Sequence, residues 1–109
     1  MDKISNSKGE KEMSKKSKSK IVRSNGSGVW FGEIKSEEGD TVVLKNAIRL
    51  WQWSGAASLS ELAMTGTKRP GNCKFCVVVD EVKVFNVLEI LSVTIEAEES
   101  IKGVTPWTA

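Results

Sequence analysis

The sequence contains no histidine and no tyrosine among its 109 residues, and only two cysteines and two prolines. Without histidine the chain cannot build a Ser-His-Asp triad, a His-ligated metal centre or an imidazole general base. P-loop, dinucleotide-binding and HExxH motifs are also absent. These absences argue against hydrolase chemistry, and we expect a protein that is not an enzyme and needs no cofactor.

The two cysteines, Cys73 and Cys76, have CxxC spacing. A structural zinc site needs about four ligands, and the chain offers neither a second CxxC pair nor histidine. A redox-active pair usually opens a helix, whereas these residues lead into an apparent strand. We therefore expect two reduced thiols and no bound metal.

No apolar run approaches the roughly 20 residues of a membrane-spanning helix, and the first 20 residues lack the apolar centre of a signal peptide. We expect a cytoplasmic protein without a membrane partner. Residues 1–20 hold seven lysines against three acidic residues and few apolar ones, a composition that predicts a disordered tail. This tail is either a solubilising extension or an electrostatic arm for nucleic acid. Residues 21–109, with nine Lys/Arg against eleven Asp/Glu, form one small globular domain.

Short β-branched and aliphatic runs between polar turns predict five or six strands in residues 29–35, 41–44, 48–53, 75–79 and 82–93. Ser58 and Glu61 have the spacing of a capping box, which predicts a helix over residues 58–65. Thr94 caps a short final helix. The fold class is α+β, mainly β, with a strongly bent antiparallel sheet or SH3-like barrel, one inserted helix and one C-terminal helix. Because the core is small and edge strands remain, we expect a homo-oligomer.

Residues 41–64 contain the best candidate site. Ile48 and Leu50 share one face of a strand, and we expect this face to pack in the core. The other face carries Arg49, Trp51 and Trp53. One tryptophan is predicted beneath the inserted helix and the other at an interface or a pocket rim with Arg49. The alternative is that the tryptophans are only core or interface anchors. The predicted ligand-binding residues are Arg23, Trp30, Arg49, Trp51, Trp53, Ser54, Lys68 and Arg69.

The run VVLKNAIRLWQWSGAASLSELA, residues 42–63, resembles a family of small uncharacterised proteins encoded by phages and prophages. The resemblance extends from Ile21 to the end of the chain and excludes the tail. The chain has Ile48 where the family usually has arginine, which removes a positive charge, and Cys76 where it usually has proline. The resemblance implies an origin in a phage or prophage, and hence the host cytoplasm, rather than a mechanism.

Three functions fit these patterns. The first is a non-enzymatic, oligomeric protein that binds a small nucleotide-like ligand, as phage proteins that sequester host nucleotide signals against host defence do. The second is a single-stranded nucleic-acid-binding accessory protein that uses the basic tail. The third is a virion or assembly component without a ligand.

Overall fold

The computed structural model describes residues 15–109. Six strands and two helices account for most of this range. A single 3₁₀ turn, Pro70–Asn72, precedes the fourth strand. The elements are β1 (Lys16–Ser24), β2 (Gly28–Glu38), β3 (Thr41–Gln52), α1 (Leu59–Thr65), β4 (Lys74–Phe75), β5 (Val79–Val84), β6 (Val87–Thr94) and α2 (Ile95–Lys102).

The strands form one antiparallel sheet in the order β6-β1-β2-β3, with β4 and β5 side by side on the far edge of β3. Strands β5 and β6 lie at opposite edges, yet only Phe85 and Asn86 separate them in the chain. The sheet therefore has to curl until its edges meet at that joint. There the amide of Val87 donates to the carbonyl of Asp40 at 2.9 Å. The predicted mainly β, strongly bent, barrel-like fold with two short helices is confirmed.

Each face of the curled sheet carries a core, because neighbouring residues of β1, β2 and β3 alternate between the two faces. Ile21 and Phe31 belong to a core that both helices cover, the helix-side core. Val22 and Trp30, one residue away on each strand, belong to the core inside the curl, the barrel core. The largest further members of the helix-side core are Ile48, Leu50, Leu62, Phe75, Val93 and Ile101, and those of the barrel core are Val42, Leu44 and Val84.

The helices begin at the residues that the sequence indicates. The Ser58 hydroxyl accepts from the amide of Glu61 at 3.1 Å, and the Glu61 carboxylate accepts from the amide of Ala57 at 2.6 Å. The Thr94 hydroxyl accepts from the amide of Ala97 at 3.0 Å and donates to the carbonyl of Met64 at 2.7 Å. One threonine therefore caps α2 and ties it to the last turn of α1.

The predicted end of the disordered tail at residue 20 is wrong, because β1 begins at Lys16. Ser17 and Ser19 point into the protein and are buried, while Lys16 and Lys18 point outward. This alternation has the period of a strand but contains no apolar residue, so hydrophobicity alone does not reveal it. The rest of the predicted tail, residues 1–14, lies outside the described residues.

Glu98 of α2 forms hydrogen bonds with Ser17 and Ser19 at the start of β1. Its carboxylate lies 2.9 Å from the Lys102 ammonium. The hydrogen bond from Lys102 is the largest effect that lowers the pKa of Glu98, the hydroxyls of Ser17 and Ser19 lower it further, and burial opposes them. The lowered pKa means that the folded protein favours the ionised carboxylate.

We predict that Glu98 stabilises the fold above its unfolded pKa, near 4.5, and that this contribution disappears as the pH falls through the lower, folded pKa. The difference in unfolding free energy between wild type and Glu98→Gln should be constant near neutral pH and shrink as the pH falls below the unfolded pKa of 4.5. Urea unfolding across this range measures it. Glu99→Gln, which alters an exposed carboxylate of the same helix, is the control and should change the unfolding free energy by less than about 0.5 kcal/mol at neutral pH.

Candidate functional site

A cleft opens where the β1–β2 turn faces the end of β3. Its volume is about 400 Å³. One wall is the glycine-rich turn and the start of β2, and the other is the last residues of β3 with the tryptophan that follows. The lining residues are Gly26, Ser27, Gly28, Val29, Arg49, Leu50, Trp51 and Trp53.

The strand register brings Arg49 to this cleft. Trp30 of β2 pairs with Arg49 of β3, so the two side chains project from the same face of the sheet. The Arg49 guanidinium carbon lies 4.2 Å from the centre of the Trp30 ring, within the range of a cation–π contact. Trp30 is only 6 % exposed, so it supports Arg49 from below and is not free to stack on a ligand.

The carbonyl of Ser27 fixes both of these side chains. It accepts from Arg49 Nη1 at 2.7 Å and from Trp30 Nε1 at 3.0 Å. No carboxylate of residues 15–109 lies within salt-bridge distance of Arg49. A guanidinium carries five N–H donors, so Arg49 is held in place while its charge and most of its donors remain available.

Trp51 follows the predicted strand pattern, whereas Trp53 lies beyond the end of β3 at Gln52, so the predicted parity does not apply to it. Ile48 and Leu50 are buried in the helix-side core. Trp51 is 56 % exposed at the rim of the cleft beside Arg49. Trp53 is half-buried, packs against the helix-side core and also lines the cleft. The structure therefore shows one tryptophan at a rim with Arg49 and one against the core beneath the helices.

The chain after Trp53 is clamped to the loop that follows α1. The Thr67 hydroxyl donates to the carbonyl of Ser54, and the amide of Lys68 donates to the carbonyl of Gly55 at 3.0 Å. The thiol of Cys73 lies 3.5 Å from the same Ser54 carbonyl. This clamp fixes the backbone directly beside the Trp53 wall of the cleft.

The other predicted site residues lie outside the cleft lining. The side chains of Lys68 and Arg69 are exposed, and only their backbone takes part in the clamp. The guanidinium of Arg23 contacts the carboxylate of Glu89 at 2.6 Å, and the alternation of β1 places it on the helix side of the sheet, with Ile21. Ser54 is half-buried and contributes its carbonyl to the clamp.

The sequence indicates a turn or flexible loop at residues 24–28, but sequence reasoning missed the part that this turn plays in the site. The turn contributes the backbone carbonyl of Ser27 to the site, and no side chain in the sequence indicates that role. The two glycines that flank Ser27 are the one available signal, since they permit a tight turn.

Ionisable ligands for a metal do not converge in the described part of the chain. Among residues 15–109, no three His, Cys, Asp or Glu side chains are placed to share a metal ion. Cys73 and Cys76 are free thiols in this structure, the first buried and the second partly buried.

The fold and cleft define a small, mainly β domain with a cation-bearing, tryptophan-lined cleft. Residues 17–101 match the family described as "Domain of unknown function (DUF6948)", and the chain belongs to that family. The match begins within β1, four residues before the resemblance seen in the sequence. No curated protein and no solved structure matches the chain. None of the helices formed by residues 15–109 has the length and apolar character needed to traverse a membrane.

We predict that the clamp beside Trp53 tolerates no side chain at Gly55. This residue has φ +82°, and a Cβ there would overlap the backbone nitrogens of Lys68 and Arg69. Gly39 has φ +62° with no atom within 4 Å of such a Cβ. Gly39→Ala should therefore cost about 1–2 kcal/mol of unfolding free energy, and Gly55→Ala at least about 3 kcal/mol because overlap adds to the strain. Equal losses in urea unfolding would contradict the clamp.

The two tryptophans should respond differently to replacement. Trp53→Ala removes a half-buried ring that packs against the helix-side core, and should lower the unfolding free energy by about 2 kcal/mol, less than for a fully buried tryptophan. Trp51→Ala removes an exposed ring and should change it by less than about 0.5 kcal/mol. Thermal and urea unfolding measure both variants. Equal destabilisation by the two variants would show that Trp51 is a core residue.

Proposed function

We propose that the protein is a non-enzymatic binding protein for a small, anionic, nucleotide-like ligand, which it holds in the cleft. The observation that carries the proposal is the state of Arg49. It is stacked on Trp30 and anchored to the Ser27 carbonyl, without a carboxylate partner in residues 15–109. A cation that is pre-organised but not neutralised is suited to an anion.

The remaining lining supports a ligand that also has a flat apolar part. Trp51 presents an exposed ring at the rim, and Trp53 borders the same space. An aromatic face binds a nucleobase by stacking without requiring one particular base. The cleft volume of about 400 Å³ lies within the range of small-ligand pockets, roughly 300–1,000 Å³.

The lining favours binding over catalysis. Arg49 is the one ionisable side chain among the described residues that line the cleft. A guanidinium donates hydrogen bonds but has no acceptor, so it does not serve as a general base. Together with the absence of histidine, this supports capture of a ligand without its conversion.

The resemblance to phage and prophage proteins supports a role for this binding during phage infection. A phage protein that sequesters a nucleotide signal of its host needs tight binding and no chemistry, and it acts in the host cytoplasm. We include this anti-defence setting in the proposal. It rests on analogy of context, whereas the ligand class rests on the cleft.

A single-stranded nucleic-acid partner has less support. That alternative relies on a basic flexible arm at residues 1–20. Residues 1–14 carry three lysines and three acidic residues, so the excess of lysine lies at residues 15–20, almost all of it in β1. The exposed Trp51 also lies near the β1–β2 turn, at the other end of β1 from these lysines.

We predict that nucleotide binding depends on Arg49 and not on Arg23. Isothermal titration with linear and cyclic mono- and dinucleotides should detect at least one ligand for the wild type. Arg49→Gln should weaken that binding by about 10-fold or more, because it removes a charged donor that has no substitute in the cleft. Arg23→Gln, which alters a guanidinium on the other face of the sheet, is the matched control and should bind as the wild type does.

Two further measurements make this test decisive. Circular dichroism must show both variants folded, since Arg49 also contacts Trp30. Trp51→Ala should weaken nucleotides more than inorganic pyrophosphate, because only the nucleotide carries a base to stack. Absence of heat for the whole panel at millimolar ligand, or equal loss in the Arg23 and Arg49 variants, would overturn the proposed function.

A further inference from the structure

The sheet leaves one edge of β6 without a partner strand in the described part of the chain. β6 pairs with β1 along one side and is the last strand in the sheet order. On its other side, only the amide of Val87 is joined to the β2–β3 turn, through the carbonyl of Asp40. An edge with unpaired backbone groups is a template for a further strand.

This edge is apolar where it is free. Leu88 is 57 % exposed and Ile90 is 37 % exposed. Together with Val42 they line a groove of about 300 Å³, and Glu37 and Asp40 of the β2–β3 hairpin lie at its border. Large aliphatic side chains exposed beside a free edge indicate an interaction surface.

Opposite charges lie at the two ends of this edge. Glu37 and Asp40 are at the end where Leu88 lies. Lys20 is opposite Ser92, at the other end, and Lys18 shares the face of Lys20 by the alternation of β1. The ion pairs within residues 15–109 include none of these four charged residues.

We propose that a second copy of the chain pairs with β6 in antiparallel orientation, about a twofold axis near Ile90. In this arrangement Ser92 of one copy faces Leu88 of the other. Lys18 and Lys20 of one copy then approach Glu37 and Asp40 of the other, and the twofold axis repeats this contact. The two sheets become continuous, and the exposed aliphatic residues of both copies cover each other.

The basic end and the acidic end of the β6 edge favour a second copy of the chain as the partner that binds there. A twofold interface requires a surface that is complementary to itself. This edge carries an apolar centre with a basic end and an acidic end, which is the arrangement that antiparallel pairing satisfies. The interface excludes the Arg49 cleft, so it is independent of the proposed ligand.

The first test is the mass of the full chain in solution. Sedimentation equilibrium at about 100 µM should give a dimer for the wild type and a monomer for Ile90→Glu, which places a charge at the axis. Val78→Glu changes an aliphatic residue away from β6 that is more exposed than Ile90, 54 % against 37 %, and should leave a dimer. Circular dichroism confirms that each variant is folded. A monomeric wild type, or dissociation by Val78→Glu alone, would overturn the proposal.

The second test exchanges the charges. One variant combines Lys18→Glu with Lys20→Glu, and the other combines Glu37→Lys with Asp40→Lys. Each should be monomeric because like charges then meet at both contacts, whereas an equimolar mixture should form a heterodimer in which both contacts are attractive. If the mixture stays monomeric although both variants are folded, the proposed orientation is wrong.

A third measurement tests whether the free edge of β6 binds a second copy or the chain's own residues 1–14. A chain without residues 1–14 should dimerise as strongly as the full chain. If the full chain is monomeric and the shortened chain dimerises, residues 1–14 occupy the edge and the proposal fails. Nucleotide titration of the Ile90→Glu monomer tests the cleft separately, because that variant leaves Arg49 and Trp51 in place.

Discussion

The need to bury both faces of β3 organises this domain. β3 pairs with β2 on one edge and with β4 and β5 on the other, so it is a central strand of the sheet. Ala47 enters the barrel core and Ile48, the next residue, enters the helix-side core. Just before them, Asn46 adopts φ +52°, a conformation that asparagine tolerates better than most residues. The irregularity there shifts the alternation of β3, so that Leu44 and Ala47 both enter the barrel core.

The position of Arg49 follows from this constraint. Since Ile48 and Leu50 must enter the helix-side core, the residue between them must face the barrel side. There it meets Trp30, a member of the barrel core, and the β1–β2 turn. A guanidinium at this point finds an aromatic face beneath it and a carbonyl beside it. Packing therefore fixes where the charge lies, while nothing in the described residues neutralises it.

Local patterns in the sequence predicted much of this architecture. Apolar and β-branched runs indicated β2, β3 and β6, although β3 is one strand where the sequence predicted two. The spacing of Ser58 and Glu61 located the start of α1 within one residue. The parity of residues 48–53 separated the core residues from Arg49 and Trp51. These features depend on neighbours in the chain, which is why the sequence alone is sufficient for them.

What the sequence could not predict depends on contacts between distant segments. Arg23 and Arg49 look equivalent as isolated basic residues, and only the register of three strands places them on opposite faces. β1 was not among the predicted strands. The buried residues at its start are Ser17 and Ser19, which contact a carboxylate far along the chain, that of Glu98. A strand whose buried side chains end in hydroxyls shows no hydrophobic periodicity, so that pattern does not predict it.

The way in which Arg49 is held bears on how a ligand would be recognised. A guanidinium bound to a carboxylate has its charge cancelled, and a ligand must compete with that carboxylate. A guanidinium held by a ring and a carbonyl keeps its net charge, and the entropy of ordering its long side chain is lost on folding rather than on binding. Such a site keeps its positive potential at one fixed place in the domain. Discrimination among anions then depends on the tryptophan walls, because the charge alone attracts them all.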